Sequence, residues 1–382
     1  MTPSPCNRLP PQRPFASWRH LAAMLLALSA PLVQAQSPTP AQGPAGWERT
    51  HAWTSGGAGA GSAPSVLLIH GLASTSAVFT APHTAWNIKH LDYDPKAVPT
   101  LNHTVDAGIS PRPARHNFFE ELGRSYHVAT WTQMPCIGNG NKPSNACLGA
   151  DTFNAAYRSA PWALRKLLDE TSGPIAIVAH SRGGLIARRL LKDFGDAGGR
   201  IKWLVTLHAP HAGTTIAGRP AAINDGVSAL LKVLPKSLSG HAISARDTLL
   251  SMSGTAGAEE LAPQGAKSLF PALQAGERQV PGIAYLSYGG TSPNAIRFYV
   301  KAPGVGVKTF SLFHTPAFPE FKDGGGDMLV TDASARLPWR GAPHVSQPLH
   351  HGEVLWHVPT MMSVGAFIKA APRAASGGEA AR

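Results

Sequence analysis

The stretch "IAIVAHSRGGLIARRLL", Ile175 to Leu191, constrains the fold more than any other part of this sequence. Ile175, Ile177 and Val178 read as a short buried strand. Leu185, Ile186, Leu190 and Leu191 recur at helical spacing. Between them sits Ala179-His180-Ser181-Arg182-Gly183-Gly184. A strand that passes straight into a helix crowds the residues at the corner, and the small neighbours Ala179 and Gly183 admit such a turn. The Ser181 hydroxyl is then lifted above the sheet at a helix N-terminus, where backbone dipoles favour a developing anion. That placement suits a nucleophile. The rest of the chain must supply a base, an acid to orient it, and donors for an oxyanion.

The surrounding sequence alternates strands with helices. "VLLIHGLAS", from Val66, is a buried strand running into a loop. "HNFFEELGRSYHVATWTQ" reads as a helix, a Gly stop and a strand from Tyr126 to Thr132. "TFNAAYRSAPWALRKLLDE" is a helix, with its Pro marking a kink or a late start. "IKWLVTLHAPHAG" and "GIAYLSYGG" are further strands. "PHVSQPLHHGEVLWHVPTMMSVGAFI" is a last strand followed by an amphipathic helix, whose apolar face is Val354, Leu355, Val358, Met361, Met362 and Phe367. The alternation predicts an α/β fold, a mostly parallel sheet with helices on both faces. Residues 80–115 are long for a loop and read as a functional insertion. Residues 214–280 lack strand rhythm and read as a cap or lid.

Composition matters most at the N-terminus. The 382 residues are 43% hydrophobic and 15% charged, which suits a globular chain with a substantial core. Arg13, Arg19 and His20 precede the apolar run "LAAMLLALSAPLV", and Val33-Gln34-Ala35 offers small residues for cleavage. Residues 1–35 therefore read as a signal peptide, and the mature protein is expected to be exported, periplasmic or secreted. No later segment reads as membrane-spanning, so no stable membrane insertion is expected after cleavage. Residues 36–63 read as a flexible leader and 371–382 as a disordered tail. Cleavage removes Arg8, Arg13 and Arg19 and no acid, taking the net charge from +12 to +9 (12 − 3). The basic residues form no nucleic-acid motif, and no nucleic-acid partner is expected. Cys6 leaves with the signal, so Cys136 and Cys147 remain across a Gly/Asn/Pro loop. In an oxidising compartment they read as a disulfide, the alternative being two free thiols. Further ligands for a zinc site are absent at suitable spacing.

Together these motifs resemble the α/β-hydrolases, and within them the secreted bacterial lipases and esterases. The resemblance covers residues 64–370 through separated motifs. The elbow around Ser181 departs from Gly-x-Ser-x-Gly by having Ala179 first, as some lipases do. In "LIHGLAS", the resemblance implies that the backbone N–H groups of Leu72 and Arg182 form the oxyanion hole, while His70 and Gly71 serve conformation. "GGGDMLVTDASARLP" resembles the stretch that carries the family's acid, with Asp327 at the matching position and Asp323 and Asp332 as rivals. Lys322 offers Asp323 an exposed ion pair, and Asp332 reads as a helix N-cap before "ASARLP". In "LHHGEVL", His351 matches the base, with His350 adjacent as the alternative. His344 and His357 read as structural or solvent-facing, and His208 and His211 as lining loops or the pocket edge. The chain order Ser181, Asp327, His351 is the order this fold requires.

What the resemblance implies is a serine hydrolase of carboxylic esters, with lipids or other hydrophobic esters, polyesters included, as substrate partners. Catalysis would run through an acyl-enzyme. An acyltransferase or amidase would keep the same triad, and a non-catalytic binding protein could use the same fold. No cofactor is required. Some related lipases hold a structural calcium near the histidine; Glu353 fills one ligand place, but the loop "TSPNAI" lacks the second acid.

Overall fold

In this computed structural model the described residues are 47–49, 63–72, 74–80, 117–133, 150–215, 255–291, 325–327, 329–349, 351–355 and 357–370, with strand backbones at 88–89, 104–106, 297–302 and 306–311. The expected signal peptide, Cys136 and Cys147, Asp323, His350 and residues 371–382 lie outside them, as does most of the expected leader.

In chain order the elements are β1 (Glu48–Arg49), β2 (Ser65–Ile69), α1 (Ala77–Thr80), β3 (Ile88–Lys89), β4 (Thr104–Asp106), α2 (Phe118–Gly123), β5 (His127–Thr130), α3 (Phe153–Tyr157) and α4 (Ala160–Glu170). There follow β6 (Ile175–His180), α5 (Arg182–Phe194), β7 (Ile201–Leu207), α6 (Ala256–Glu259), α7 (Phe270–Gln274) and β8 (Ala284–Gly290). The last are β9 (Arg297–Ala302), β10 (Gly306–Ser311), β11 (His344–Gln347), a 3₁₀ turn (Glu353–Leu355) and α8 (Val358–Lys369). The main sheet has seven strands in the order β1-β5-β2-β6-β7-β8-β11. Every neighbouring pair is parallel except β1 against β5 at the edge.

Alternation along the central strands explains why both faces are covered. In β2, Leu67 and Ile69 enter one apolar cluster while Val66 and Leu68 enter another. In β6, Ile175, Ile177 and Ala179 go to the first and Ala176 and Val178 to the second. Side chains of successive strand residues point to opposite faces, so a strand apolar at every position must be sandwiched. Leu164, Leu167, Leu185, Ile186 and Leu190 of α4 and α5 cover the first face. Phe118, Leu122, Met361, Val364 and Ile368 of α2 and α8 cover the second.

Several expectations shift by a few residues. The segment read as one helix from "TFNAAYRSAPWALRKLLDE" is two, α3 and α4, with Pro161 in the first turn of α4, where its missing N–H is no loss. The final helix starts at Val358, one residue before Pro359, and buries Met361, Val364 and Ile368. Met362, expected on the apolar face, is 61% exposed. A second sheet, β10-β9-β4-β3, was not expected. It joins two strands within residues 80–115 to a hairpin at 297–311. Of the expected cap, residues 216–254 lie outside the described residues. The described remainder packs into the core, with Leu261, Phe270 and Leu273 in the same cluster as Leu164 and Leu190.

At the β6–α5 corner the helix approaches the sheet at backbone distance. A Cβ on Gly183 would run into the Ile69 carbonyl oxygen and stand 2.7 Å from that of His70. Backbone cannot give way as a flexible side chain can. Gly183→Ala is therefore expected to lower the unfolding free energy by about 1–3 kcal/mol or more, read from urea unfolding. An unchanged midpoint would mean that helix and strand are not packed this closely.

Candidate active site

Ser181 stands between the end of β6 and the start of α5 with φ +56° and ψ −132°. Non-glycine residues are uncommon at positive φ, and a β-strand turned directly into a helix enforces it here. A Cβ on Gly71 would come within 2.7 Å of Ser181 Cβ, so the loop after β2 must carry glycine beside the serine. His351 lies between β11 and the 3₁₀ turn, and its Nε2 accepts from the Ser181 hydroxyl at 2.9 Å. Its Nδ1–H donates to Asp327 Oδ2 at 2.8 Å. The structure thus brings Ser181, His351 and Asp327 into one hydrogen-bonded line.

Asp327 is held from several sides. Its Oδ1 accepts the N–H groups of Leu329 at 2.9 Å and Val330 at 2.7 Å. Its backbone carbonyl accepts the His351 N–H at 3.1 Å, so Asp327 and His351 are joined through main chain as well as side chains. Burial alone would push the carboxyl up. The His351 and His208 rings beside it outweigh that and hold it far below the usual carboxylate range.

His208 and His211, which the sequence left at loops or a pocket edge, are buried, and so are His180 and His357. His180 Nε2–H donates to the His351 carbonyl at 2.9 Å, anchoring the backbone at His351. His208 Nδ1 stands 2.9 Å from Asp327 Oδ2. His211 contacts the Thr206 hydroxyl at 3.0 Å. His357 caps the start of α8 in sequence position and meets the Thr360 hydroxyl at 2.7 Å.

Leu72 and Arg182, the expected oxyanion donors, flank the serine. Among the described residues neither backbone N–H has an acceptor. The Arg182 side chain, which sequence reasoning passed over, is fully buried. It pairs with Asp151 at 2.7 Å, donates to the Asp151 carbonyl at 2.9 Å, and reaches Gln133 Oε1 at 3.2 Å. Gln133 in turn donates through Nε2 to the His70 carbonyl at 2.6 Å, and its backbone N–H donates to His70 Nε2 at 2.9 Å. His70 Nδ1–H donates to the Gly71 carbonyl at 3.0 Å. One nitrogen accepting and the other donating demands a neutral ring, and burial accordingly pulls its pKa down to about 3. This network ties the residue after Ser181 to the loop that carries Leu72.

Asp332 does not cap a helix, because turns follow it. Its carboxylate instead accepts from His344 Nε2 at 2.9 Å, Ser346 at 3.0 Å and Arg336 at 3.1 Å. His344 Nδ1 also meets Ser287 Oγ at 2.8 Å, making a second Ser–His–Asp line. Ser287 is wholly buried within β8, so no substrate reaches it, and the line serves to pin the loop carrying Asp327 to β11. For the calcium that some related lipases hold, Glu353 stands at one ligand position and residues 291–296 supply no second carboxylate.

No family model matches the sequence, and no curated protein matches it. Among solved structures the chain is similar to a Bacillus licheniformis lipase in mature form, at 14% identity and TM-score 0.45, over 86% of this chain and 99% of that one. It is also similar to the propeptide form of that lipase, at 13% identity and TM-score 0.49. There the match covers 85% of this chain and 54% of that chain, spanning about half its length. A thermophilic esterase from Thermogutta terrifontis is similar at 13% identity and TM-score 0.39, over 85% and 93%. The strand order and the serine corner are those of an α/β-hydrolase fold.

The buried histidines give a pH prediction. Burial lowers the pKa of His70, His180, His208, His211 and His357, to about 3 for His70 and about 4 for His357. The unfolded chain takes up these protons near pH 6.5 and the folded chain does not, so protons favour the unfolded state. Stability is therefore full above about pH 6.5 and lost as pH falls below it, by up to about 1.4 kcal/mol per pH unit for each ring. The urea midpoint should drop steeply between pH 6.5 and 5. A flat midpoint would mean that these rings are solvated.

Proposed function

We propose that this protein is an exported serine hydrolase that cleaves carboxylic esters, and that its substrates are lipids or other hydrophobic esters. The observation that carries the reading is the line Ser181 Oγ, His351 Nε2, His351 Nδ1, Asp327 Oδ2, with contacts of 2.9 and 2.8 Å. His351 takes the hydroxyl proton as Ser181 attacks the ester carbonyl. The tetrahedral oxyanion is met by the N–H groups of Leu72 and Arg182, fixed in place before the reaction. His351 then gives its proton to the leaving alcohol, and an acyl-enzyme remains. Water, activated by the same imidazole, releases the acid. Asp327 fixes the tautomer that leaves Nε2 free to accept, and stabilises the ring once charged. Export rests on the N-terminal sequence, and the hydrophobic substrate class on the lipase-like motifs.

The test is turnover of p-nitrophenyl esters of increasing chain length, with a triglyceride emulsion and a polyester film beside them. Ser181→Ala should abolish hydrolysis while the far-UV spectrum is kept. Asp327→Asn should keep the fold and lose on the order of 10⁴-fold in kcat, the loss expected of a wrong tautomer. Full activity in either variant would end this reading. A preference for amides over esters would replace esterase with amidase.

A further inference from the structure

We propose that His208 is a positioning residue for the Asp327 carboxylate, its Nδ1–H holding the oxygen that orients His351. The inference rests on the reading of Asp327 and His351 as acid and base.

Asp327 Oδ1 is tied down by its own loop through Leu329 and Val330. Oδ2 faces two rings, His351 Nδ1 at 2.8 Å and His208 Nδ1 at 2.9 Å. The His208 ring is wholly buried, and neither of its nitrogens makes an aligned hydrogen bond. Its one close polar neighbour among the described residues is thus the carboxylate, met off the line of a strong bond. A lone pair on Nδ1 would repel that carboxylate, so Nδ1 carries the proton and the ring presents its N–H dipole. Burial keeps the ring neutral, opposed by Asp327 and Asp332 and reinforced by His351. His180 and His357 also lie within its electrostatic reach.

The backbone supports the same conclusion. His208 follows β7 with φ +51° and donates its N–H to the Tyr288 carbonyl at 2.8 Å. That left-handed conformation is unusual outside glycine, although His and Asn adopt it more than most residues. It turns the side chain toward the acid. Gly290 closes the space behind, since a Cβ there would run into Asp327 Cβ and stand 2.8 Å from His208 Cε1. A carboxylate packed in this way cannot rotate away from His351 when the imidazole becomes charged.

Two substitutions separate this role from backbone strain. An asparagine in place of His208 would set an amide N–H₂ near the position of Nδ1 and tolerates positive φ, so His208→Asn should keep kcat within about threefold. His208→Gly relieves the backbone but removes the donor. It should lower kcat ten- to a hundredfold with KM little changed, and move the acid limb of kcat/KM to higher pH. The shift is upward because a carboxylate without its second donor interacts more strongly with protonated His351. A His208→Gly protein with wild-type kcat and pH profile overturns the proposal, as does an Asn variant as slow as the Gly one. One polar atom each of His208, Asp327 and His351 also lies within 4.8 Å of the other two, a spacing open to a divalent metal. A wild-type rate that changes on dialysis against EDTA would assign the cluster to a metal and overturn the brace. Wild-type protein that hydrolyses no ester overturns the reading of the site itself, whereas turnover with an indifferent Gly variant overturns this inference alone.

Discussion

An ionised carboxylate buried in a protein interior is the constraint on which the rest of this site depends. Asp327 is 1% exposed, and a charge so placed is unfavourable by several kcal/mol unless donors replace water. The fold supplies them from three directions. Two backbone N–H groups of the same loop meet one oxygen, and two rings meet the other. Each source needs its own support. The loop is pinned to β11 through Asp332, His344 and Ser346. His351 is pinned by the Asp327 carbonyl at its N–H and by His180 at its carbonyl. His208 is pinned by its N–H on the Tyr288 carbonyl of β8. Strands β6, β7, β8 and β11 are neighbours in the sheet, so their carboxyl ends bring these side chains to one edge.

A second constraint lies on the other side of the serine. The loop after β2 and the helix after β6 must approach within backbone contact, which only glycine at 71 and 183 permits. The buried Arg182–Asp151 pair and Gln133 hold the two together. Buried ion pairs are poor sources of net stability, yet breaking one leaves an unpaired interior charge. This one therefore acts as a lock on geometry more than as a source of folding energy. It also reaches the described part of the expected cap, because Glu260 accepts the Phe153 N–H at 2.6 Å and Phe153 lies two residues from Asp151. A Cβ on Gly257 would stand 2.9 Å from Leu72 Cδ1, so α6 rests directly against the loop after β2.

Much of this was legible in the sequence, for physical reasons. Strand residues apolar at every position announced a sheet covered on both faces, and a serine among small residues between strand and helix announced the corner. Asp327 and His351 were read by register against a known pattern, and the structure sets them in one hydrogen-bonded line with Ser181. What stayed hidden depended on contacts far along the chain or on backbone conformation. Gln133 and Asp151 lie 49 and 31 residues from Arg182, and neither sits in a motif. His208 read as an ordinary loop histidine because a positive φ leaves no mark on a non-glycine residue. Asp332 looked like a cap because its local sequence fits one, whereas its partners come from a strand twelve and fourteen residues later. The strands of the second sheet are two to six residues long and pair across nearly 200 positions, which gives periodicity little to act on.

The central claim is that Ser181 is an activated nucleophile, and covalent capture tests it most directly. The full-length protein should be treated with a fluorophosphonate and digested, and the adduct located by mass spectrometry. An activated Ser181 gives one adduct, on the peptide containing it, formed far more slowly when His351 is replaced by alanine. An adduct on another serine, or labelling of Ser181 that is indifferent to His351, would contradict it.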